Sequence, residues 1–305
     1  MSMLKRVAAK LINAVIVKSD GKVLDFARKT VPLPIKRRIS RLITSEIAFT
    51  DEFVTSKSGH KFVVIQEPVF LQVRYEGTYE KQLSKVAAQL VSPGDTAVDV
   101  GANFGWYSVL LASEVGEEGR VFSFEPNIAI YPTLVKNIEN NNYSGRVQLK
   151  QCGVGDKVSQ EFLSAGDLDS AVGYFDTQRK DNTADTLESV EIYPLDDLVA
   201  DQIGEISLIK VDVEGFEPFV LQGAQKIFAV ENPPAMLMEF NIEALERQNV
   251  DIDNFIEELH NLPALVTQIV SGRLEITDRI SKQNADLIFL PTKGKYQRTQ
   301  DSIVL

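Results

Sequence analysis

Ala97-Val98-Asp99-Val100-Gly101-Ala102-Asn103-Phe104-Gly105 is a short apolar run, a glycine-bearing turn and the opening of a helical pattern, in that order. A strand that passes through such a turn into a helix makes a crevice at its carboxyl end, where open α/β sheets bind their ligands. The glycines supply backbone that takes positive φ and allows close approach. Outward from this stretch, short apolar runs alternate with helical patterns. The spacing predicts helix 79–91, stopped by Pro93-Gly94-Asp95, then strand 96–100, helix 103–114, strand 120–125, helix 127–141 and strand 146–152. Further on it predicts strand 206–212, helix 216–229, strand 235–240 and helix 242–261. Two last apolar runs, 265–270 and 285–290, lie on either side of Ser271-Gly272 and a polar stretch, and predict a closing antiparallel pair. Such alternation implies crossover connections and an α/β fold with a Rossmann-like, mostly parallel sheet of seven strands covered on both faces. Between 155 and 192 no period is clear, and the Asp, Ser, Thr and Gly content predicts an irregular lid or binding loop.

The composition is that of a globular chain: 305 residues, 44% hydrophobic and 25% charged, which excludes disorder, collagen-like repeats and disulfide scaffolds. One cysteine, Cys152, cannot form an intrachain disulfide, and one Cys with two His cannot make the usual zinc spacings. A reducing, cytoplasmic compartment is the expectation. The net charge of -11 is unevenly spread, because residues 1–41 hold eleven Lys/Arg against Asp20 and Asp25, a balance of +9 that leaves -20 for the rest. An acidic body of that kind disfavours nucleic acid as a partner.

The chain divides into a basic amphipathic helical arm, 1–48, and a body, 49–305. Apolar residues at 3, 4, 7, 8, 11, 12 and 15 form one helical face, opposite Lys5, Arg6 and Lys10, and the pattern returns over 35–43. No run of about 20 apolar residues spans a membrane, and no signal-peptide core precedes a cleavage site. Two readings of the arm stay open. It packs on the body or on a second subunit of a homodimer, or it rests peripherally on an anionic inner-membrane surface, where each Lys/Arg contributes about 1 kcal/mol. At the start of the body, Phe53-Val54-Thr55 and Phe62-Val63-Val64-Ile65 flank Ser58-Gly59 and predict a hairpin.

Twenty residues beyond Gly105, at the end of the next strand, stands Glu125, placed to accept hydrogen bonds from the hydroxyls of a ribose. Turn and carboxylate together predict an adenosine-containing ligand. A dinucleotide turn needs Gly-x-Gly-x-x-Gly to clear room for a pyrophosphate, but Asn103 holds the central position and Asp99, just before the turn, repels phosphate. The same features disfavour an NAD-type oxidoreductase. An acidic turn suits a ligand with a sulfonium and an ammonium, which is the chemistry of S-adenosylmethionine.

Gly77-Thr78-Tyr79-Glu80, Pro93-Gly94-Asp95-Thr96-Ala97-Val98-Asp99-Val100-Gly101-Ala102-Asn103, Phe124-Glu125-Pro126, Ile209-Lys210-Val211-Asp212-Val213-Glu214-Gly215-Phe216-Glu217 with Leu221-Gln222-Gly223-Ala224, and Glu239-Phe240-Asn241 resemble the FkbM-type methyltransferases in order and spacing. The resemblance covers about residues 77–241. It implies the class I S-adenosylmethionine-dependent methyltransferase fold and methylation of a hydroxyl on a sugar, glycan, glycolipid or natural product. It places Asp99, Gly101, Ala102, Asn103 and Gly105 around the methionine part of the cofactor, Glu125 on the ribose and Glu80 near the methionine end. The third strand ends at Val147-Gln148-Leu149-Lys150-Gln151-Cys152-Gly153 without the acidic residue common in class I enzymes. Adenine recognition is therefore expected from backbone groups near Cys152 and Gly153, with the Cys152 side chain a small buried residue.

Methyl transfer to a hydroxyl depends first on alignment and then on a base for the proton. Asp212, Glu214 and Glu239, at the carboxyl ends of two strands, are the catalytic candidates, and Glu217 and Asn241 are expected to meet the acceptor. Glu217 also suits the cap of the helix that starts near 216. Asp212, Glu239 and Asn241 further resemble the oxygen-ligand trio of catechol-type methyltransferases, which would hold Mg²⁺. The alternatives are an N-methyltransferase on the same fold and a non-catalytic S-adenosylmethionine-binding or scaffold protein. His60 and His260 are expected to be surface or packing residues.

Overall fold

The computed structural model describes residues 53–63, 70–164, 174–175, 187–270, 272–293, 296 and 303. The arm expected over 1–48 lies outside the described residues. Contacts divide the chain into two units, Met1–Tyr79 with Asp167–Ala171 and Glu80–Gly166 with Val172–Leu305. In the first, β1 (Phe53–Thr55) and β2 (Lys61–Val63) form the expected antiparallel hairpin, with Phe53 opposite Val63. Helix α1 (Phe70–Glu76) follows, and Gly77 just beyond it accepts a hydrogen bond from the Lys57 amide at 2.7 Å.

The second unit opens with α2 (Lys81–Leu90), whose Leu83, Val86, Ala87 and Leu90 are buried at helical spacing. Next come β3 (Thr96–Val100), α3 (Trp106–Glu114), β4 (Arg120–Phe124), α4 (Tyr131–Asn140) and β5 (Val147–Lys150). All five residues of β3 are buried, as expected of a strand covered on both faces. Four short strands follow: β6 (Gly153–Val154), β7 (Ser159–Ser164), β8 (Tyr174–Phe175) and β9 (Leu187–Tyr193). After the single turn α5 (Leu195–Leu198) the chain returns to the core with β10 (Ile206–Val211), α6 (Glu217–Gln222), α7 (Gln225–Phe228), β11 (Ala235–Phe240), α8 (Ile242–Arg247) and α9 (Ile252–His260). It closes with β12 (Ala264–Val270), β13 (Arg273–Ile276) and β14 (Ala285–Pro291).

The main sheet has the order β13-β12-β14-β11-β10-β3-β4-β5. Strands β11, β10, β3, β4 and β5 are parallel, and β14 and β12 add the expected antiparallel pair. All seven expected strands are present, and β13 adds an eighth by pairing antiparallel to β12 at the edge. The chain winds outward from β3 through β4 to β5 and returns on the other side at β10, so the strand order reverses between β3 and β10. That reversal opens the crevice of a doubly wound sheet. In register, Val100 lies beside both Val211 and Phe124, so the three strands end level and deliver Gly101, Asp212 and Glu125 to one edge. Beneath that edge, Val98, Val100, Phe122, Phe124, Ile209, Val211, Met236 and Met238 belong to one apolar core. Among the described residues no helix is long and apolar enough to cross a membrane.

Three expectations need correction. The stretch 155–192 is not wholly irregular: β6, β9, β7 and β8 form a second, four-stranded sheet in that order. In β9, Val190 and Ile192 are buried while Ser189 and Glu191 are exposed, a strand alternation too brief to stand out among polar neighbours. Helix 216–229 is interrupted at Gly223, where a Cβ would collide with the Gly155 carbonyl oxygen. Helix 242–261 is interrupted at Asn249, whose φ of 55° is left-handed, and Asp251 restarts it by accepting from the amides of Asp253 and Asn254 at 3.1 Å.

Candidate active site

The turn after β3 is fixed from two sides. Gly101 has φ 77°, and a Cβ there would overlap the Asp212 carbonyl oxygen, so the end of β3 and the end of β10 touch through backbone. The amides of Gly101 and Ala102 both donate to the Phe124 carbonyl at 3.0 Å. Asn103 is left-handed at φ 51°, and its amide donates to Glu125 Oε2 at 2.7 Å. Gly105, at φ 89°, precedes α3 and has no room for a Cβ against Leu134. Glu125 Oε1 accepts from the Asn127 amide at 2.8 Å. Glu125 therefore clasps the turn, each oxygen holding one amide and keeping a lone pair toward further donors. Burial pushes its carboxyl up to about 7 even though the amides of Asn127 and Asn103 pull it down.

Lys210 is the cation beneath this turn. It stands in β10 beside Asp99 of β3 in register, with 5% exposure. Its Nζ lies 3.0 Å from Asp212 Oδ2, 3.4 Å from the Gly101 carbonyl, 4.0 Å from Asp99 Oδ1 and 5.1 Å from the Tyr107 ring centre. Burial opposes its charge, but Asp212, Asp99 and Glu80 together hold its pKa above the ordinary lysine value. Asp99 is fully buried. Its Oδ2 accepts from Ser108 Oγ at 2.6 Å, while Oδ1 has no hydrogen-bond partner. Burial raises its pKa against the pull of Lys210. Glu80 precedes α2 in left-handed conformation, φ 42°, and its Oε2 accepts from Tyr107 Oη at 2.7 Å.

Next to Lys210 the carboxylates gather. One carboxylate oxygen from each of Asp212, Glu214 and Glu239 lies within 4.8 Å of the others. Glu214 is left-handed at φ 53°, with its Oε2 3.7 Å from Arg247 Nη2 and its side chain 24% exposed. Burial and then Asp212 push its carboxyl up to about 7. The Glu239 carboxyl is pushed well above the ordinary range by burial, by the charges of Asp212, Glu214 and Glu217, and by a hydrogen bond with Asp212. Opposite Glu239 in the antiparallel register of β11 and β14 sits Asp286, pushed up to about 6, mainly by burial. Of the five non-glycine residues with positive φ among the described residues, Glu80, Asn103 and Glu214 belong to this site. Strained backbone of that kind persists where a site requires it.

Several expected residues have local duties instead. Glu217 is fully buried at the start of α6; its Oε1 accepts from the amides of Val213 at 3.0 Å and Gly215 at 3.3 Å, bracing the loop that carries Glu214. Asn241 caps α8, its Oδ1 accepting from the Ala244 amide at 3.2 Å, while Asp212 and Glu239 gather with Glu214. Lys210 and Arg247 already pair with two of these three carboxylates. Cys152 is buried and pushed up to about 11, mainly by that burial, which keeps it a thiol, and Gly153 begins β6. His260 accepts from the Ile280 amide at 3.3 Å, a packing duty. Lys210 and Asp286 were not among the expected site residues. The signal for each is a charged residue inside an otherwise apolar strand.

Comparison with known proteins follows the same residues. Residues 99–262 match the model of the methyltransferase FkbM domain. "Methyltransferase 1" of Beauveria bassiana is 27% identical over 143 residues, which are 41% of this chain and 57% of that protein. Among solved structures, a SAM-dependent O-methyltransferase from Thermotoga maritima is 17% identical, with 78% of this chain and 76% of that chain covered at a TM-score of 0.39. An O-methyltransferase from Bacillus cereus in complex with SAH is 14% identical, with 86% and 93% covered at a TM-score of 0.39. Likenesses this loose carry no residue roles across.

Proposed function

We propose, from the premise that the chain belongs to the FkbM methyltransferase family, that it is an S-adenosylmethionine-dependent O-methyltransferase acting on a hydroxyl of a sugar, glycan, glycolipid or natural product. The observation that carries this reading is the contact between the two turns. The glycine turn after β3 rests on the backbone of Asp212, so a ligand bound at the first lies beside the carboxylates grouped around the second.

The turn fits the cofactor. Asp99, fully buried with no hydrogen bond at Oδ1, puts a carboxyl group where a dinucleotide site offers bare amides to phosphate. Gly101, Ala102, Asn103 and Gly105 would hold the methionine part, Glu125 the ribose through its remaining lone pairs, and the backbone at Cys152 and Gly153 the adenine. When bound, S-adenosylmethionine supplies an electrophilic methyl, whose bond to sulfur breaks with its electron pair as the acceptor oxygen takes the methyl. Asp212, held by Lys210, orients the acceptor hydroxyl. Glu214, with a carboxyl near 7 and partial exposure, receives the proton, close to the pKa that suits a general base at neutral pH. The hydrogen bond between Glu239 and Asp212 holds Asp212 in place.

Calorimetric titration with S-adenosylmethionine, S-adenosylhomocysteine and NAD tests the cofactor. Binding of the first two and not the third, lost in Glu125→Ala, is the expected result; a folded protein that binds neither adenosyl ligand refutes it. For the arm we propose contact with an anionic membrane surface, in the cytoplasm. Deletion of 1–48 then weakens binding to phosphatidylserine vesicles and spares cofactor binding, and unchanged vesicle binding rejects the idea.

A further inference from the structure

Methyl transfer changes the charge of what occupies the turn. S-adenosylmethionine carries a sulfonium, an ammonium and a carboxylate, net +1, whereas S-adenosylhomocysteine, without the sulfonium, is neutral. A site lined only with carboxylates holds the charged form tightly and so stabilises the ground state against a reaction that removes the charge. The site beside this turn is not lined only with carboxylates. Lys210 Nζ is 4.0 Å from Asp99, 3.4 Å from the Gly101 carbonyl and 3.0 Å from Asp212, and it is buried under the turn that the cofactor reading requires.

We infer that Lys210 sets the preference between S-adenosylmethionine and S-adenosylhomocysteine, offsetting the charge of Asp99 and Asp212 so that the sulfonium is not held more tightly than turnover allows. It acts through the potential at the turn and is a specificity-determining residue, not one that touches the acceptor. The inference rests on the cofactor reading above. The groups that set this potential are Asp99 from β3, Asp212 after β10, Glu80 before α2 and the Tyr107 ring from α3. A second consequence is that one lysine joins the two turns: the pair it makes with Asp99 and the pair it makes with Asp212 draw on the same charge.

The test needs no acceptor. Affinities for S-adenosylmethionine and S-adenosylhomocysteine are measured by calorimetry at pH 8 for the wild type, Lys210→Met, Lys210→Arg and Asp212→Asn, with circular dichroism as the folding check. The readout is the ratio of the two affinities, because damage to the pocket lowers both together. Lys210→Met removes a positive charge and raises the preference for S-adenosylmethionine by roughly tenfold, the scale of one unit charge several ångströms away at an intermediate dielectric. Asp212→Asn removes a negative charge and moves the ratio the opposite way, by about threefold or more. Lys210→Arg keeps the charge and leaves the ratio within about twofold. If Lys210→Met does not fold, Lys210→Gln, which removes the same charge and keeps a donor for the Gly101 carbonyl, takes its place and should raise the ratio by the same roughly tenfold. A ratio that stays put, or that moves the same way in both variants, overturns the inference while leaving the cofactor reading intact. Absence of binding of both ligands to the wild type overturns the two together.

Discussion

Glu217→Gln probes the charge buried beneath the catalytic loop. Glu217 is 0% exposed, its Oε2 has no partner, and its carboxyl is pushed from the ordinary 4.5 up to about 7, chiefly by burial. The folded protein thus binds the proton more tightly than the unfolded chain does. Where the folded state binds more protons, stability falls as pH rises, so the loss begins near 4.5 and is complete above about 7. A shift from 4.5 to about 7 corresponds to a penalty of about 3 kcal/mol once the group is ionised. Roughly 2 kcal/mol of that develops between pH 5 and 8. Glutamine keeps an oxygen for the amides of Val213 and Gly215 and cannot ionise. Urea unfolding of the ligand-free protein, followed by Trp106 fluorescence at pH 5, 6, 7 and 8, measures both proteins. The stability of wild type relative to Glu217→Gln should fall by roughly 2 kcal/mol over that range. Parallel curves would show that Glu217 does not change charge on this scale, and a difference growing in favour of wild type would show that the two amides hold the carboxylate better than burial repels it.

For Glu214, the methyl-transfer rate with a working acceptor should climb with pH through about 7, because the base acts only when deprotonated. Glu214→Gln should remove that limb and lower kcat by about a hundredfold to ten-thousandfold; an unaltered pH profile would remove Glu214 from the role. Treatment with EDTA should leave the rate within about twofold, since Lys210 and Arg247 already neutralise two of the three clustered carboxylates. A large loss reversed by added Mg²⁺ would instead make Asp212, Glu214 and Glu239 a metal centre.

The sheet was legible because its strands are continuous apolar runs closed by glycine turns, and a buried parallel strand has little other way to be written. Asp99, Gly101, Asn103 and Glu125 could be placed at its edge for the same reason. Asn249 and Gly223 could not be read as breaks, since each residue is tolerated inside a helix and only the tertiary neighbours, such as the Gly155 carbonyl against Gly223, decide against it. Lys210 was legible as part of the Ile209–Glu217 motif but not as the partner of Asp99, because that role comes from register: Asp99, 111 positions earlier in the chain, is its neighbour only when β3 and β10 lie side by side. Asp286 is likewise defined by its place opposite Glu239. For Glu217 and Asn241 the structure shows local hydrogen bonds, which proximity in sequence to a strand end does not reveal, since it does not say whether a side chain turns toward solvent or back to its own loop.

The small sheet has a bearing on how such a protein diversifies. Its entry strand β6 and exit strand β9 run side by side, Gly153 beside Ile192 and Val154 beside Tyr193, and the Gly155 amide donates to the Tyr193 carbonyl at 3.0 Å. Departure and return are thus a stem one strand-spacing wide. Whatever is grafted between 155 and 193 is carried on that stem like a cassette, free to change length and surface while the spacing of β5 and β10, and with it the chemistry at their ends, stays as it is.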